Sequence, residues 1–231
     1  MNCKLPNFYL NDLNSNPTNK IAMLCTATNR YEKKYINLIY SQYIYCRKCN
    51  FDYILITKSD VSHYWNILHK GYELLNKNKY DFLILIDADI FIKNNSPNII
   101  FSLNNNKNSI FIAKGISNRP NSGLVILRND EYSKVFLEKT FLLKNNNLIL
   151  PENKAPGENG AVIQVLKYDF FSDKLFILDN IWNNTINSRD CYFVHYTNLM
   201  TKYFNTDNKN IYENFKNDKL YILFRKIILR P

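Results

Sequence analysis

Two aspartates, Asp87 and Asp89, follow four apolar residues in the segment LILIDADIFI. An apolar run of this kind is typical of a buried strand, so both carboxylates are expected where the strand reaches the surface. Carboxylates so close together repel each other unless a cation neutralises them, and Mn²⁺ or Mg²⁺ takes oxygen ligands and completes its shell with phosphates. The pair therefore predicts a metal site. The alternative is a cap or turn at a strand end, where paired aspartates are also common.

The segments around this pair alternate between strand and helix patterns. Apolar runs and helical periodicity predict strand 21–27, helix 31–49, strand 51–57, helix 64–77 and strand 80–92, in that order. This order predicts an α/β fold with a parallel, doubly wound early sheet. Ligands of such sheets bind beyond the carboxyl ends of the strands, where Asp87 and Asp89 lie.

The rest of the chain continues this pattern without a linker or an internal repeat. Further strands are predicted at 109–115, 122–129, 174–179 and 191–197, with helices at 131–143 and 157–170. We expect a single domain over 1–231, with an irregular segment at 1–19 and an amphipathic C-terminal helix at 212–231. That helix is expected to pack on the core, and weak contact with a membrane surface is the alternative.

Composition narrows the class of protein. The 231 residues are 46% hydrophobic and 22% charged, which is typical of a globular domain and not of a disordered or fibrous chain. A net charge of +10 favours anionic partners, but no basic stretch interleaved with aromatics predicts a nucleic-acid groove, so no nucleic acid is expected. No apolar stretch has the length of a signal peptide or a bilayer span, and five cysteines without a disulfide spacing suit a reducing compartment. We therefore expect a soluble, cytoplasmic protein.

Further short segments accompany the aspartate pair in a definite order. They are Lys70 and Tyr80-Asp81 before LIDADIFI, and then Asn121-Ser122-Gly123, Glu158-Asn159-Gly160, Ile181-Trp182-Asn183 and Phe193-Val194-His195. Together they resemble the DxD region and the later motifs of the retaining GT-A sugar transferases, including the glycogenin-like and the galactosyl- and xylosyltransferase-like families. The resemblance spans about residues 21–203.

The resemblance implies a GT-A fold, which is a Rossmann-like single domain with a mixed, mainly parallel central sheet. It also implies that His195 is a third protein ligand of Mn²⁺ or Mg²⁺ beside Asp87 and Asp89, and neutral imidazole is a sound ligand for Mn²⁺. The implied donor site takes in the loop after the first strand, the residue between the aspartates, the Asn-Ser-Gly segment and two lysines: Thr26, Ala27, Thr28, Asn29, Arg30, Ala88, Asn121, Ser122, Gly123, Lys70 and Lys202.

Glu158, Asn159 and Lys70 are the catalytic residues that the resemblance implies. Glu158 and Asn159 keep the acid and the amide of the family's Asp-Gln pair, and the acid could hydrogen-bond the donor sugar, stabilise an oxocarbenium-like centre or act as a base. A helix-start role is the alternative for Glu158, because the macrodipole favours a carboxylate there. The chain departs from the family after His195, since Tyr203 follows Lys202 where the family has Pro-Trp.

These observations predict transfer of a hexose from UDP-glucose, UDP-galactose or UDP-GlcNAc to a hydroxyl of a glycan or protein, with retention implied by the resemblance alone. One alternative is a catalytically silent protein that binds a sugar or nucleotide, yet Asp87, Asp89 and His195 are all present. Another is a nucleotidyltransferase, which would need a Gly-rich phosphate loop after the first strand, where CTATNRYEK has none.

Overall fold

The computed structural model of the protein describes residues 20–58, 63–103, 107–145, 149–186 and 190–229. In chain order the strands and α-helices of these residues are β1 (Ile21–Thr26), α1 (Tyr31–Lys34), α2 (Ile36–Cys49), β2 (Asp52–Ile56), α3 (His63–Asn76), β3 (Phe82–Asp87), β4 (Ile90–Ile92), β5 (Ile110–Lys114), β6 (Pro120–Arg128), α4 (Glu131–Leu142), α5 (Asn159–Val165), β7 (Leu175–Leu178), β8 (Phe193–His195), α6 (Phe204–Phe215) and α7 (Lys219–Ile228). The irregular segment predicted at 1–19 lies outside the described residues.

Six of the strands form one sheet in the order β2-β1-β3-β6-β5-β7. The pairs β1–β2, β1–β3 and β5–β7 are parallel, whereas β6 runs antiparallel to both of its neighbours, β3 and β5. The sheet is therefore mixed and mainly parallel. This confirms the predicted α/β class and the parallel arrangement of the early strands.

Helices cover both faces of this sheet. Alternate residues of a strand point to opposite faces, so Met23 and Ile84 contact the layer that contains α2, α6 and α7. Leu24 and Leu85 contact the opposite layer, which contains α3, α4 and α5. Because both faces are buried, the strands consist of continuous apolar runs, and that is why they were readable from the sequence. The doubly wound arrangement is confirmed.

The strand predicted over 80–92 is instead two strands in different sheets. β3 ends at Asp87, the chain turns at Ala88 and Asp89, and β4 then pairs antiparallel with β8 in a two-stranded sheet. The prediction of one continuous strand was wrong because IFI is as apolar as LILI and the turn between them contains no Gly or Pro to mark it. The two aspartates thus lie at a break between sheets.

The C-terminal residues form two helices and not one helix over 212–231. α6 ends at Phe215, and α7 begins after Asp218, whose side chain caps it by accepting a hydrogen bond from a backbone N–H. α7 buries Tyr221 and Phe224 against the core. Among the described residues, no helix is both long enough and apolar enough to cross a bilayer.

Two other predicted helices also differ in their bounds. The helix predicted at 31–49 is divided at Tyr35 into α1 and α2, and the helix predicted at 157–170 ends at Val165. The start of α5 at Asn159 leaves Glu158 at the N-cap position, directly before the first helical turn.

Candidate active site and metal centre

The turn between β3 and β4 holds the two aspartates at the carboxyl edge of the main sheet. Gln42, which is fully buried on α2, donates hydrogen bonds from Nε2 to the backbone carbonyls of Asp87 and Ile90, both at 2.9 Å. Tyr53 OH donates to Gln42 Oε1 at 2.9 Å and so orients the amide. One buried side chain therefore spans the turn and fixes the backbone from which Asp87 and Asp89 project.

β8 brings His195 to the same turn. Its backbone is paired with Ile90, and the following residue, Tyr196, donates its N–H to the carbonyl of Asp89 at 3.0 Å. His195 Nε2 consequently lies 3.2 Å from Asp89 Oδ1 and 3.6 Å from Asp87 Oδ2. One potential ligand atom from each of the three residues lies within 4.8 Å of the others. The structure thus brings together the three residues that were predicted as metal ligands.

Neighbouring charges within this cluster shift the pKa values of Asp87 and His195. Burial and the neighbouring Asp89 raise the pKa of Asp87 to about 7, although 37% of its side-chain surface stays open to the adjoining pocket. Burial alone would lower the pKa of His195, but Asp89 and Asp87 outweigh it and raise that pKa above its usual value. Both pKa values are raised by negative carboxylate charges that lie close together in a confined site. A divalent cation would neutralise that charge.

Gly123 on β6 leaves the space that the His195 ring occupies. A Cβ atom at position 123 would lie 2.2 Å from His195 Cε1 and 2.7 Å from Nδ1, far inside ordinary van der Waals contact. The histidine is itself buried, with 3% of its surface exposed. Glycine is therefore required at this position by the close approach of the imidazole ring.

Glu158 lies beside this cluster and is held by β6. Its Oε1 accepts a hydrogen bond from Ser122 Oγ at 2.7 Å, and the Ser122 backbone N–H donates to Asn159 Oδ1 at 2.9 Å. Burial raises the pKa of Glu158, although the Ser122 hydrogen bond opposes the shift. Its side chain makes no capping hydrogen bond at the start of α5. The carboxylate is thus directed to the site and not to the helix end.

A single pocket of about 290 Å³ contacts most of the predicted site residues. Those on its wall are Thr26, Thr28, Asp87, Ala88, Asp89, Asn121, Ser122, Gly123, Glu158, Asn159 and His195. The metal cluster and the Glu158 carboxylate therefore open into the same space.

The other predicted site residues do not line this pocket. Ala27 is fully buried, and its N–H donates to the Ile56 carbonyl, while Asn29 and Arg30 are exposed in a left-handed turn. Lys70 is paired with Glu73 on its own helix, with Nζ 2.9 Å from Oε2. Lys202 is exposed, and its Nζ lies 4.9 Å from the centre of the Tyr203 ring.

Sequence reasoning missed the aromatic part of the pocket. Tyr31, Tyr35 and Tyr64 line it, and Lys34 Nζ lies over the first two rings, 5.8 and 4.7 Å from their centres. The chain has 17 tyrosines, and the sequence does not distinguish these three from the others. Gln42 did leave a signal, because a glutamine on the apolar face of a predicted helix requires a buried polar partner.

The sequence itself matches no family model and no curated protein. The structure, by contrast, is similar to the crystal structure of a glycosyltransferase involved in the glycosylation of the major capsid of PBCV-1. The TM-score is 0.64 with 13% identity, over 83% of this chain and 98% of that one. The chain therefore shares its fold with that glycosyltransferase.

A second likeness is to the glycosyltransferase GlyE of Streptococcus pneumoniae TIGR4. One GlyE structure gives a TM-score of 0.54 with 12% identity, over 92% of this chain and 61% of GlyE. The apo form gives 0.52 with 12% identity, over 92% of this chain and 65% of GlyE. The chain thus spans less than two thirds of GlyE. At these identities the likeness establishes a GT-A-like single-domain fold.

Proposed function

We propose that the chain is a metal-dependent glycosyltransferase that moves a hexose from a UDP-sugar to a hydroxyl of a glycan or protein acceptor, with retention at the anomeric carbon. The observation that carries the proposal is the shared pocket, because a carboxylate and imidazole cluster and a separate buried carboxylate, Glu158, open into it together. The likeness of fold to solved glycosyltransferases supports the same reaction class.

The residues present fit a hard divalent cation. Asp87 and Asp89 offer carboxylate oxygens, His195 offers an imidazole nitrogen, and this donor set suits Mn²⁺ or Mg²⁺ with positions left for phosphate oxygens. When bound, such an ion supplies the positive charge that stabilises a diphosphate leaving group.

The protein's own groups would bind the donor along the rest of the wall. Thr28 Oγ1 is buried and has no hydrogen-bond partner among the residues that the structure describes, so a ligand hydroxyl or carbonyl would satisfy it. Tyr31 and Tyr35 offer ring surface on that side of the pocket, and Lys34 adds a positive charge next to them. These contacts support a nucleotide at this end of the site, with its phosphates toward the aspartates.

Glu158 and Asn159 are proposed to face the sugar. Their side chains are fixed through Ser122, so they would meet the reacting carbon in a preorganised position. A raised pKa is typical of a carboxyl that exchanges protons or stabilises a developing charge in a confined site.

The test is a donor screen that needs no acceptor. The purified chain is incubated with UDP-glucose, UDP-galactose or UDP-GlcNAc and Mn²⁺, and released UDP is measured. We expect release from one donor that stops with a chelator and in Asp89→Ala, and that persists in Asp173→Ala, an exposed aspartate on the loop before β7.

Calorimetry with UDP separates the alternatives. Metal-dependent UDP binding without turnover of any donor would indicate a catalytically silent binding protein. Equal UDP affinity with and without chelator would refute the metal bridge, because two carboxylates would then face a diphosphate of the same sign unaided.

A further inference from the structure

The Asn-Ser-Gly segment of β6 does more than line the donor pocket, because it also controls the imidazole of His195. A neutral histidine carries its proton on one ring nitrogen and a lone pair on the other, and only the lone pair can bind a metal. His195 Nε2 faces Asp87 and Asp89. In the neutral ring, a proton on Nδ1 leaves the lone pair on Nε2, where it can bind a metal.

Nδ1 contacts one buried side chain. It lies 2.9 Å from Oδ1 of Asn183, a residue with no exposed surface. An amide can present either an acceptor oxygen or a donor nitrogen, so this contact fixes the imidazole only if the amide is itself oriented.

A backbone group supplies that orientation. The Gly123 N–H, which can only donate, bonds to Asn121 Oδ1 at 3.1 Å. Asn183 Nδ2 donates to the same oxygen at 2.9 Å. With its nitrogen used toward Asn121, Asn183 must present its oxygen to His195. The direction of each hydrogen bond therefore follows from one peptide N–H, and Nδ1 of His195 must carry a proton to donate to Asn183; in the neutral imidazole that leaves the lone pair on Nε2.

We propose that Asn183 is a positioning residue that holds His195 as the Nδ1–H tautomer with the Nε2 lone pair directed at Asp87 and Asp89, and that Asn121 anchors the Asn183 amide. The alternative tautomer would gain an N–H contact with Asp89, but it would set the Nδ1 lone pair against the Asn183 oxygen and occupy the nitrogen that a cation needs. The metal-binding consequence rests on the proposed function, whereas the tautomer itself does not.

The primary experiment reads the tautomer in the metal-free chain of residues 1–231. Nitrogen-15 NMR at alkaline pH, where the imidazole is neutral, distinguishes a protonated from an unprotonated ring nitrogen. The chain has three histidines, so His195→Ala assigns the signal. We expect Nδ1 protonated and Nε2 unprotonated in the wild type.

Two substitutions of similar size test the role of Asn183. Asn183→Leu removes the acceptor and is expected to lose the Nδ1–H pattern and to lower affinity for Mn²⁺ alone by about 10- to 100-fold, the usual effect of losing a hydrogen-bond partner of a metal-binding histidine. Asn183→Asp loses the donor to Asn121 Oδ1 but keeps an acceptor for Nδ1–H, so it is expected to retain the nitrogen pattern and most of the affinity. Free Mn²⁺ is measured by its EPR signal, and thermal unfolding shows that each variant is folded.

A folded Asn183→Leu with the wild-type nitrogen pattern and Mn²⁺ affinity would overturn the proposal, as would an Nε2–H wild type. If Asn183→Leu does not fold, Asn121→Ala replaces it, and a wild-type pattern there would show that Asn121 does not anchor the amide. A wild type with the Nδ1–H pattern but no Mn²⁺ binding would support the positioning role while contradicting the proposed function.

Discussion

Replacing Gly123 with alanine tests the packing of the candidate metal centre most directly. The new Cβ would lie 2.2 Å from His195 Cε1, whereas ordinary contact begins at 3.4 Å, so the ring must retreat by about 1.2 Å. The backbone of His195 is held by Ile90 and Asn184, and its ring is buried, so the movement must come from rotation of the side chain.

That displacement is large on the scale of metal coordination. Ligand distances in working sites stay within about 0.2 Å of their ideal values, so a shift near 1 Å removes the ligand. We expect Gly123→Ala to lower Mn²⁺ affinity by at least about 10-fold, with a loss of about 1–3 kcal/mol in the free energy of unfolding from overpacking.

Calorimetric titration with Mn²⁺ and UDP measures the first effect, and thermal unfolding with and without Mn²⁺ measures the second. Gly71→Ala on helix α3 is the matched control, because the atoms nearest to its new Cβ are the ends of the Leu85 and Leu137 side chains, at 3.1 Å and beyond. The reasoning is refuted if Gly123→Ala binds Mn²⁺ as tightly as the wild type does.

The remaining predictions concern the charged groups. His195→Ala is expected to reduce Mn²⁺-dependent turnover far more than His69→Ala, whose ring lies beside Phe141; equal effects in steady-state assays would place the third ligand elsewhere. Glu158→Gln is expected to lower kcat strongly while UDP affinity stays nearly constant, as for an interaction made mainly in the transition state, and wild-type kcat and KM would remove the carboxylate from the reaction. The pKa of Asp87 is raised from 3.8 to about 7 in the folded protein, so between these values the folded state holds a proton that the unfolded chain releases. The free energy of unfolding of the metal-free protein is therefore expected to fall as pH rises through that interval. The raised pKa values of Glu158 and His195 act in the same direction. Melting curves with chelator at about pH 5 and pH 8 measure the slope, which Asp87→Asn should flatten; an unchanged slope would contradict this origin.

The strands of the main sheet were predictable because strands that are buried on both faces consist of continuous apolar residues. β3 is the clearest case, since LILI is an uninterrupted apolar run and the strand is buried on both faces. The break after Asp87 was not predictable, because it depends on Gln42 from α2, which is distant in sequence and bonds to the backbone on both sides of the turn.

Some residues of the candidate site could likewise be predicted from the sequence and others could not. Asp87, Asp89 and His195 could be named from residue type and order, and the structure brings them together. The position of Lys70 depended on a local competition, because Glu73 three residues further along the same helix pairs with its ammonium group. Tyr31, Tyr35 and Tyr64 could not be predicted as pocket residues, since nothing in the sequence distinguishes them from ordinary core aromatics.

The pairing of β4 with β8 also determines when the site can exist during synthesis. About a hundred residues separate Asp89 from His195, and ribosomes add about 5–20 residues per second, so the carboxylates are made roughly 5 to 20 s before the histidine. Through that interval β4, the strand that follows the aspartates, lacks its partner β8, although all six strands of the main sheet are complete in sequence once Leu178 has been added. A nascent chain stopped before residue 193 could therefore build its six-stranded sheet and yet lack the third residue of the candidate metal centre, which is added only with β8.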